Sequence, residues 1–101
     1  MLKQLKLSRS MIARTDAVST DLPLGQLVPG SLARIRSLAA PSPDISEDSL
    51  DRLSELGFVT GALVEVLHIA PWGDPIAVKV DRLTVALRRH EADAIAVRLV
   101  P

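Results

Sequence analysis

Few side chains in this sequence could bind a metal ion. Histidine occurs only at His68 and His90, and cysteine is absent, which excludes thiolate metal sites, disulfides and cysteine nucleophiles. A stable site for a borderline divalent metal needs three or four converging ligands. We therefore expect no resident metal and no cofactor. By strand parity, His68 should face the same side as Val64 and Val66 and be partly buried.

Four carboxylates are grouped just before and inside the first turns of a predicted helix. They could hold a hydrated cation loosely, but negative charge near the positive end of a helix dipole is also favoured without any ligand. We adopt the second interpretation, with Asp44 as the N-cap and Glu47 at capping-box spacing from it. The group consists of Asp44, Glu47, Asp48 and Asp51.

Sequence motifs of enzymatic chemistry are missing. The chain has no G-x-x-x-x-G-K-[ST] loop to hold nucleotide phosphates, no H-E-x-x-H pair and no G-x-S-x-G turn. We expect a protein without catalytic activity, whose function depends on binding.

The strongest candidate for binding is the loop that carries the single tryptophan, Trp72. Prolines at 71 and 75 stiffen this loop, so a partner would order few degrees of freedom on binding. Tryptophan is enriched among the interface residues that cost most when truncated. Two interpretations remain open, because Trp72 could contact a partner protein or fold back over the domain. The candidate partner-binding residues are Pro71, Trp72, Gly73, Asp74, Pro75 and Arg88.

Two consecutive arginines, Arg88 and Arg89, follow the predicted strand at residues 83–87. They could pair with charges at the rim of a partner surface, where each exposed pair contributes little. A solvated face is the other interpretation, and we expect it for both arginines, with Arg88 kept as a candidate for the partner surface.

The elements that must position these residues are mainly strands. Val64 and Val66 before the tryptophan loop, and alternate residues of 76–80 after it, have the period-2 pattern of strands with one buried face. The same pattern occurs around Ala33 and Ile35, and strands are also predicted at residues 83–87 and 95–100. A brief helical turn is expected at about 89–93.

One amphipathic helix is predicted at about residues 45–56. Its apolar stripe is Leu50, Leu53 and Leu56. Gly57 occupies the position of the left-handed residue that ends a helix, and Phe58 would then contact Leu53. Glycines at 30 and 61 are predicted to form further structural turns.

Composition limits the class of protein. The chain has 101 residues, 48% of them hydrophobic, with Phe58 and Trp72 as the only aromatics. That is one domain with an aliphatic core and no aromatic-lined groove for proline-rich peptides. The formal net charge of zero disfavours nucleic-acid binding. No apolar run approaches the roughly 20 residues that span a bilayer, so we expect a soluble, cytoplasmic protein.

The first 20 residues differ from the rest and are predicted to form a flexible basic tail ahead of a domain at residues 21–101. Lys3, Lys6, Arg9 and Arg14 outnumber Asp16. A basic arm that touches anionic lipid or an acidic partner is the alternative.

The order of these pieces resembles the FeoA family, small cytosolic proteins of bacterial ferrous-iron uptake. The resemblance covers about residues 22–98, and it rests on four segments: the helix end at residues 53–57, the Gly61 turn, the loop at residues 70–75 and the segment at residues 86–92. Thr60 stands where the family commonly has proline, and the Asp81-Arg82 connection lacks an expected glycine.

The resemblance implies an SH3-like barrel of five to six short strands with the one inserted helix. It also implies a non-enzymatic accessory protein that docks on the cytosolic side of FeoB, the GTP-binding ferrous-iron permease, with no nucleic-acid partner. The alternative is a stand-alone regulatory domain, related to the C-terminal domains of metal-dependent repressors, that acts by protein-protein contact. Oligomeric state is not implied.

Deleting residues 1–18 is expected to leave the fold intact, because the apolar pattern of the domain begins at Leu22. The shortened chain should melt in one cooperative transition by circular dichroism. Loss of that transition would show that the N-terminal residues belong to the domain.

Overall fold

Six antiparallel strands form one sheet in the computed structural model, which describes residues 21–101. The predicted tail at residues 1–20 lies outside the described residues. Along the sheet the order is β1-β6-β2-β3-β4-β5. The elements are β1 (Leu22–Pro23), a 3-10 helix (Leu24–Gln26), β2 (Leu32–Leu38), α1 (Glu47–Leu56), β3 (Leu63–Ile69), β4 (Ile76–Val80), β5 (Leu83–Leu87), α2 (Arg89–Asp93) and β6 (Ile95–Leu99).

The predicted fold class is confirmed: the chain is mainly β, with one helix inserted before β3 and a short helical turn before the last strand. Among the described residues, no helix is long and apolar enough to cross a membrane.

The inner face of the sheet forms the core, as the alternation predicts. Phe58 is the only buried aromatic among the described residues, so aliphatic side chains fill the remaining space. Of the predicted core residues only Leu56 is less than fully buried, packing against the edge of the cluster. The buried apolar set is Leu24, Leu27, Ala33, Ile35, Ile45, Leu50, Leu53, Phe58, Val64, Val66, Ile76, Val78, Val80, Leu87, Ala92, Ala94, Ile95 and Val97.

A register shift in β3 overturns the prediction for His68. Val66 pairs with Val78, but His68 pairs with Ala77, so Leu67 is an extra residue between two ladder positions. Such a bulge reverses which face the following residues occupy. His68 is therefore exposed rather than partly buried.

The start of α1 also differs from the prediction. Ser46, not Asp44, is the N-cap, and its Oγ accepts a hydrogen bond of 3.1 Å from the Ser49 N–H. The preceding turn pairs Ser42 with Ile45 and places Ile45, only 4% exposed, in the core. This anchoring delays the helix until Ser46, and Asp44 instead donates its N–H to the Ser42 hydroxyl over 3.3 Å.

The end of α1 is as predicted. Gly57 has φ +118°, and two reverse hydrogen bonds close the helix: the Phe58 N–H donates to the Leu53 carbonyl over 3.0 Å, and the Gly57 N–H to the Ser54 carbonyl over 3.1 Å. This is a Schellman motif, and it directs Phe58 into the core, where it is completely buried.

Tight turns connect the remaining elements. The predicted turn glycines Gly30 and Gly61 both have φ +90°. Asp81, in the two-residue connection between β4 and β5, has φ +54°. This connection therefore has the left-handed backbone conformation for which a glycine is expected. Aspartate is among the few other residues that tolerate a left-handed φ.

Replacing Gly57 with valine is expected to lower the free energy of unfolding by about 1 kcal/mol or more, since a β-branched residue is strained at positive φ. Gly57→Asn is the matched comparison, because asparagine enters the left-handed region more easily. Urea denaturation should rank the variants glycine, asparagine, valine in falling stability; equal midpoints for Gly57→Val and the parent chain would contradict this role.

Candidate partner-binding site

The loop between β3 and β4 is closed at its base and at its tip. At the base, the Ala70 N–H donates to the Pro75 carbonyl over 3.1 Å, and within the loop the Gly73 N–H donates to the Ala70 carbonyl over 2.7 Å. Gly73 has φ +82°, a conformation that glycine adopts without strain. The loop is therefore ordered by its own backbone.

Trp72 lies at the tip of this loop with 90% of its surface exposed. Its side chain therefore does not fold back over the domain. Its loop neighbours Pro71, Asp74 and Pro75 are exposed as well, and Gly73 is half-buried. The five predicted loop residues thus form one projecting surface with a large aromatic side chain in the middle.

Arg89, expected to be solvated, instead connects the loop to the rest of the domain. Its Nε donates to the Gly73 carbonyl and its Nη1 to the Gly25 carbonyl, each over 2.9 Å. Its backbone N–H donates to Asp74 Oδ1 over 3.2 Å. The planar guanidinium has several donors in fixed directions, which suits it to bridging two carbonyls. Arg89 therefore holds the loop against the 3-10 helix.

The close approach of Arg89 to Gly25 depends on the missing side chain of that glycine. A Cβ on Gly25 would collide with the Asp93 carboxylate and lie 3.2 Å from Arg89 Nη1. Asp93 also lies 3.9 Å from the same guanidinium. Arg89 and Asp93 are four residues apart on one short helix, but nothing in the local sequence pattern indicates their contact with Gly25, which lies 64 residues from Arg89 in the chain.

Glu91 fixes the turn that presents both arginines. It is 7% exposed, the only buried charged residue among those described. Its Oε1 accepts the Arg88 N–H over 2.9 Å, and its Oε2 accepts Arg52 Nη2 from α1 over 2.6 Å. A buried carboxylate is stable only when paired in this way. Arg88 itself is exposed, and its side chain makes no hydrogen bond to the loop within residues 21–101.

Within residues 21–101, no three side chains of histidine, cysteine, aspartate or glutamate converge to form a metal site. His68 and His90 are both exposed. Glu47 and Asp48 occupy the first turn of α1, where their negative charge interacts favourably with the positive end of the helix dipole.

An open groove of about 530 Å³ lies on the outer face of the sheet, and none of the predicted partner-binding residues lines it. Its apolar part includes Leu63, 40% exposed, and Val59, 49% exposed, which the sequence pattern did not single out. The other lining residues are Leu32, Gly57, Ala62, Glu65, Lys79 and Asp81.

Arg89→Lys is expected to lower the free energy of unfolding by about 1–2 kcal/mol, because lysine retains the charge but cannot bridge two carbonyls in a fixed plane. Amide hydrogen exchange at Gly73 should become faster as the loop loosens. Arg88→Lys is the control, and it should change stability by less than about 0.5 kcal/mol. Identical denaturation midpoints for the two variants would mean that Arg89 does not hold the loop.

Comparison with solved structures places this geometry among known proteins. The FeoA protein of Chlorobium tepidum is 38% identical with a TM-score of 0.69, and the match covers 79% of this chain and 71% of that one. FeoA of Stenotrophomonas maltophilia, complexed with zinc and described as a prokaryotic SH3 domain protein, is 33% identical with a TM-score of 0.63. That match covers 73% of this chain and 86% of the other.

A manganese-dependent transcriptional repressor also matches, at 21% identity and a TM-score of 0.68, over 79% of this chain and 42% of the repressor. That likeness is one of fold alone. Among curated protein sequences none matches significantly. The model of the FeoA domain matches residues 22–99, which agrees with the expected extent. On this match and the sequence identity to two FeoA structures, the chain belongs to the FeoA family and has its SH3-like fold.

Proposed function

We propose that this protein is a non-enzymatic accessory factor of bacterial ferrous-iron uptake that docks on the cytosolic side of a FeoB-type permease. The loop at residues 70–75 is the docking element. The observation that carries the proposal is the 90% exposure of Trp72 at the tip of an ordered loop.

Exposure of a tryptophan on an ordered loop favours binding for two reasons. An exposed indole leaves a large apolar area in contact with water, and burying it under a partner recovers roughly 25 cal/mol per Å². The loop is already held by its own backbone hydrogen bonds and by Arg89. Little conformational entropy remains to be lost on docking, so more of the burial energy becomes affinity.

Charge in the proposed interface comes from Arg88 and Asp74, which are both exposed. Opposite charges on the permease would orient the docked protein and raise the association rate more than the affinity. We place the protein in the cytoplasm, on the side where the permease carries its GTP-binding domain.

The repressor-like alternative has support from the fold alone, since the matching repressor is 21% identical and is covered over 42% of its length. Co-purification with membranes would favour the permease, whereas co-purification with DNA would favour the alternative.

Trp72→Ala is expected to weaken binding to the permease's cytosolic region by about 2 kcal/mol or more, roughly 30-fold in the dissociation constant. Amide chemical shifts of the labelled protein, followed during titration with that region, should move at residues 70–75 and much less in the variant.

Leu63→Ala is the matched control, because Leu63 is an exposed apolar residue at the opposite end of β3 from the loop. It should bind like the parent chain. Equal affinity for Trp72→Ala and the parent chain would remove the loop from the interface, and no shift in any residue would exclude docking on this region of the permease.

A further inference from the structure

The sheet keeps two edge strands among the described residues, because β1 and β5 are not paired with each other. β1 has only two residues, but β5 has five, Leu83–Leu87. Edge strands usually carry charges, proline or a bulge that prevent pairing with another chain. β5 has none of these within its length, and its pairing with β4 runs without a register shift. β5 is therefore free to pair with an additional strand along its open edge.

The register of the β4–β5 hairpin defines which backbone groups are free. Val80 pairs with Leu83 across a two-residue connection, and the closing pair of such a hairpin exchanges both hydrogen bonds. The alternating pattern then points the N–H and C=O groups of Thr84 and Ala86 away from β4. Arg88, next in that alternation, donates its N–H to Glu91, as expected for an outward-facing group.

The free backbone groups of β5 are accessible. Thr84 and Ala86 are exposed residues, and their outward-pointing N–H and C=O groups have no backbone hydrogen-bond partner within residues 21–101. On the inner side, Leu83 is 46% exposed and Val85 is half-buried. An added strand with apolar residues on that side would cover both.

The charges at the two ends of β5 indicate which kind of partner this edge would bind. Arg82 and Arg88 flank the two ends of β5, both exposed, and no carboxylate of residues 21–101 lies within 4.0 Å of either side chain. A second copy could overlap all five residues of β5 only by pairing antiparallel about Val85. That register would set Arg82 against Arg88 of the partner copy, and like charges directly opposite are unfavourable. The chain's own residues 1–20 are basic as well.

We propose that β5 binds an extended segment of a partner protein that carries acidic residues at both ends of an alternating apolar and polar stretch. The segment adds an antiparallel strand to the sheet, with its acidic ends opposite Arg82 and Arg88. Backbone hydrogen bonds to Thr84 and Ala86 supply binding energy, and the two ion pairs and the apolar alternation supply selectivity. This surface shares Arg88 with the proposed docking interface but lies outside the loop at residues 70–75, and it does not require the permease as its partner.

The test uses a synthetic peptide as long as residues 82–88, with glutamate at both ends and alternating valine and threonine between them. A second peptide has lysine in place of both glutamates. At about 1 mM, a range suited to weak peptide binding, the glutamate peptide should shift the Thr84 and Ala86 amides of the full-length labelled protein and slow their hydrogen exchange. It should bind about tenfold more tightly than the lysine peptide.

The double variant Arg82→Glu, Arg88→Glu should reverse that preference, and Trp72→Ala should leave it unchanged, which separates this surface from the proposed docking loop. Reversal by the double variant supports the proposal even if one peptide binds weakly. Equal binding of the two peptides, shifts confined to other residues, or no shift at all would overturn it. Slow hydrogen exchange of the Thr84 and Ala86 amides in the protein without peptide would overturn it as well. If that protection increases with protein concentration, a second copy occupies the edge; if it does not, the chain's own residues do.

Discussion

A single sheet of short strands has to bury its own inner face, and this constraint shapes the rest of the domain. With Phe58 as the only buried aromatic, aliphatic side chains from every part of the sheet must meet each other, so the sheet has to curve. β2 and β3 each contain a register shift, and such bulges bend a strand and increase its twist. Helix α1 covers part of the remaining apolar surface through Leu50 and Leu53. The Gly57 stop returns the chain to the core at Phe58.

Two ionic side chains organise the end of the domain near α2. Glu91 is buried and joins α1 to the start of α2 through Arg52 and the Arg88 N–H. Arg89 joins α2 to the tryptophan loop and to the 3-10 helix. These contacts fix the relative positions of α1, α2 and the loop, and the hydrogen bonds of Arg89 to two carbonyls also stabilise the domain. Their effect is that the loop and the end of β5 are presented by the same rigid turn.

The two proposed binding surfaces are an exposed aromatic side chain and an unpaired strand edge. A buried indole and a paired strand edge would be unremarkable in a domain of this size. Trp72 is 90% exposed, and β5 ends the sheet. The exposed indole offers apolar area, whereas the strand edge offers backbone hydrogen bonds, so the two features recognise different properties of a partner. Both features are consistent with the proposed function, in which the protein acts by binding a partner.

The sequence by itself determined the strands, the helix stop at Gly57, the positive-φ turns and the family, because these depend on periodicity and on residues adjacent in the chain. It also located the tryptophan loop. Only the tertiary structure decided the bulge that exposes His68, the choice of Ser46 over Asp44 as N-cap, and the roles of Arg89 and Glu91. Each of these depends on contacts with residues far away in sequence: the partner strand, the core around Ile45, or carbonyls on another element. Local patterns carry no information about such distant partners.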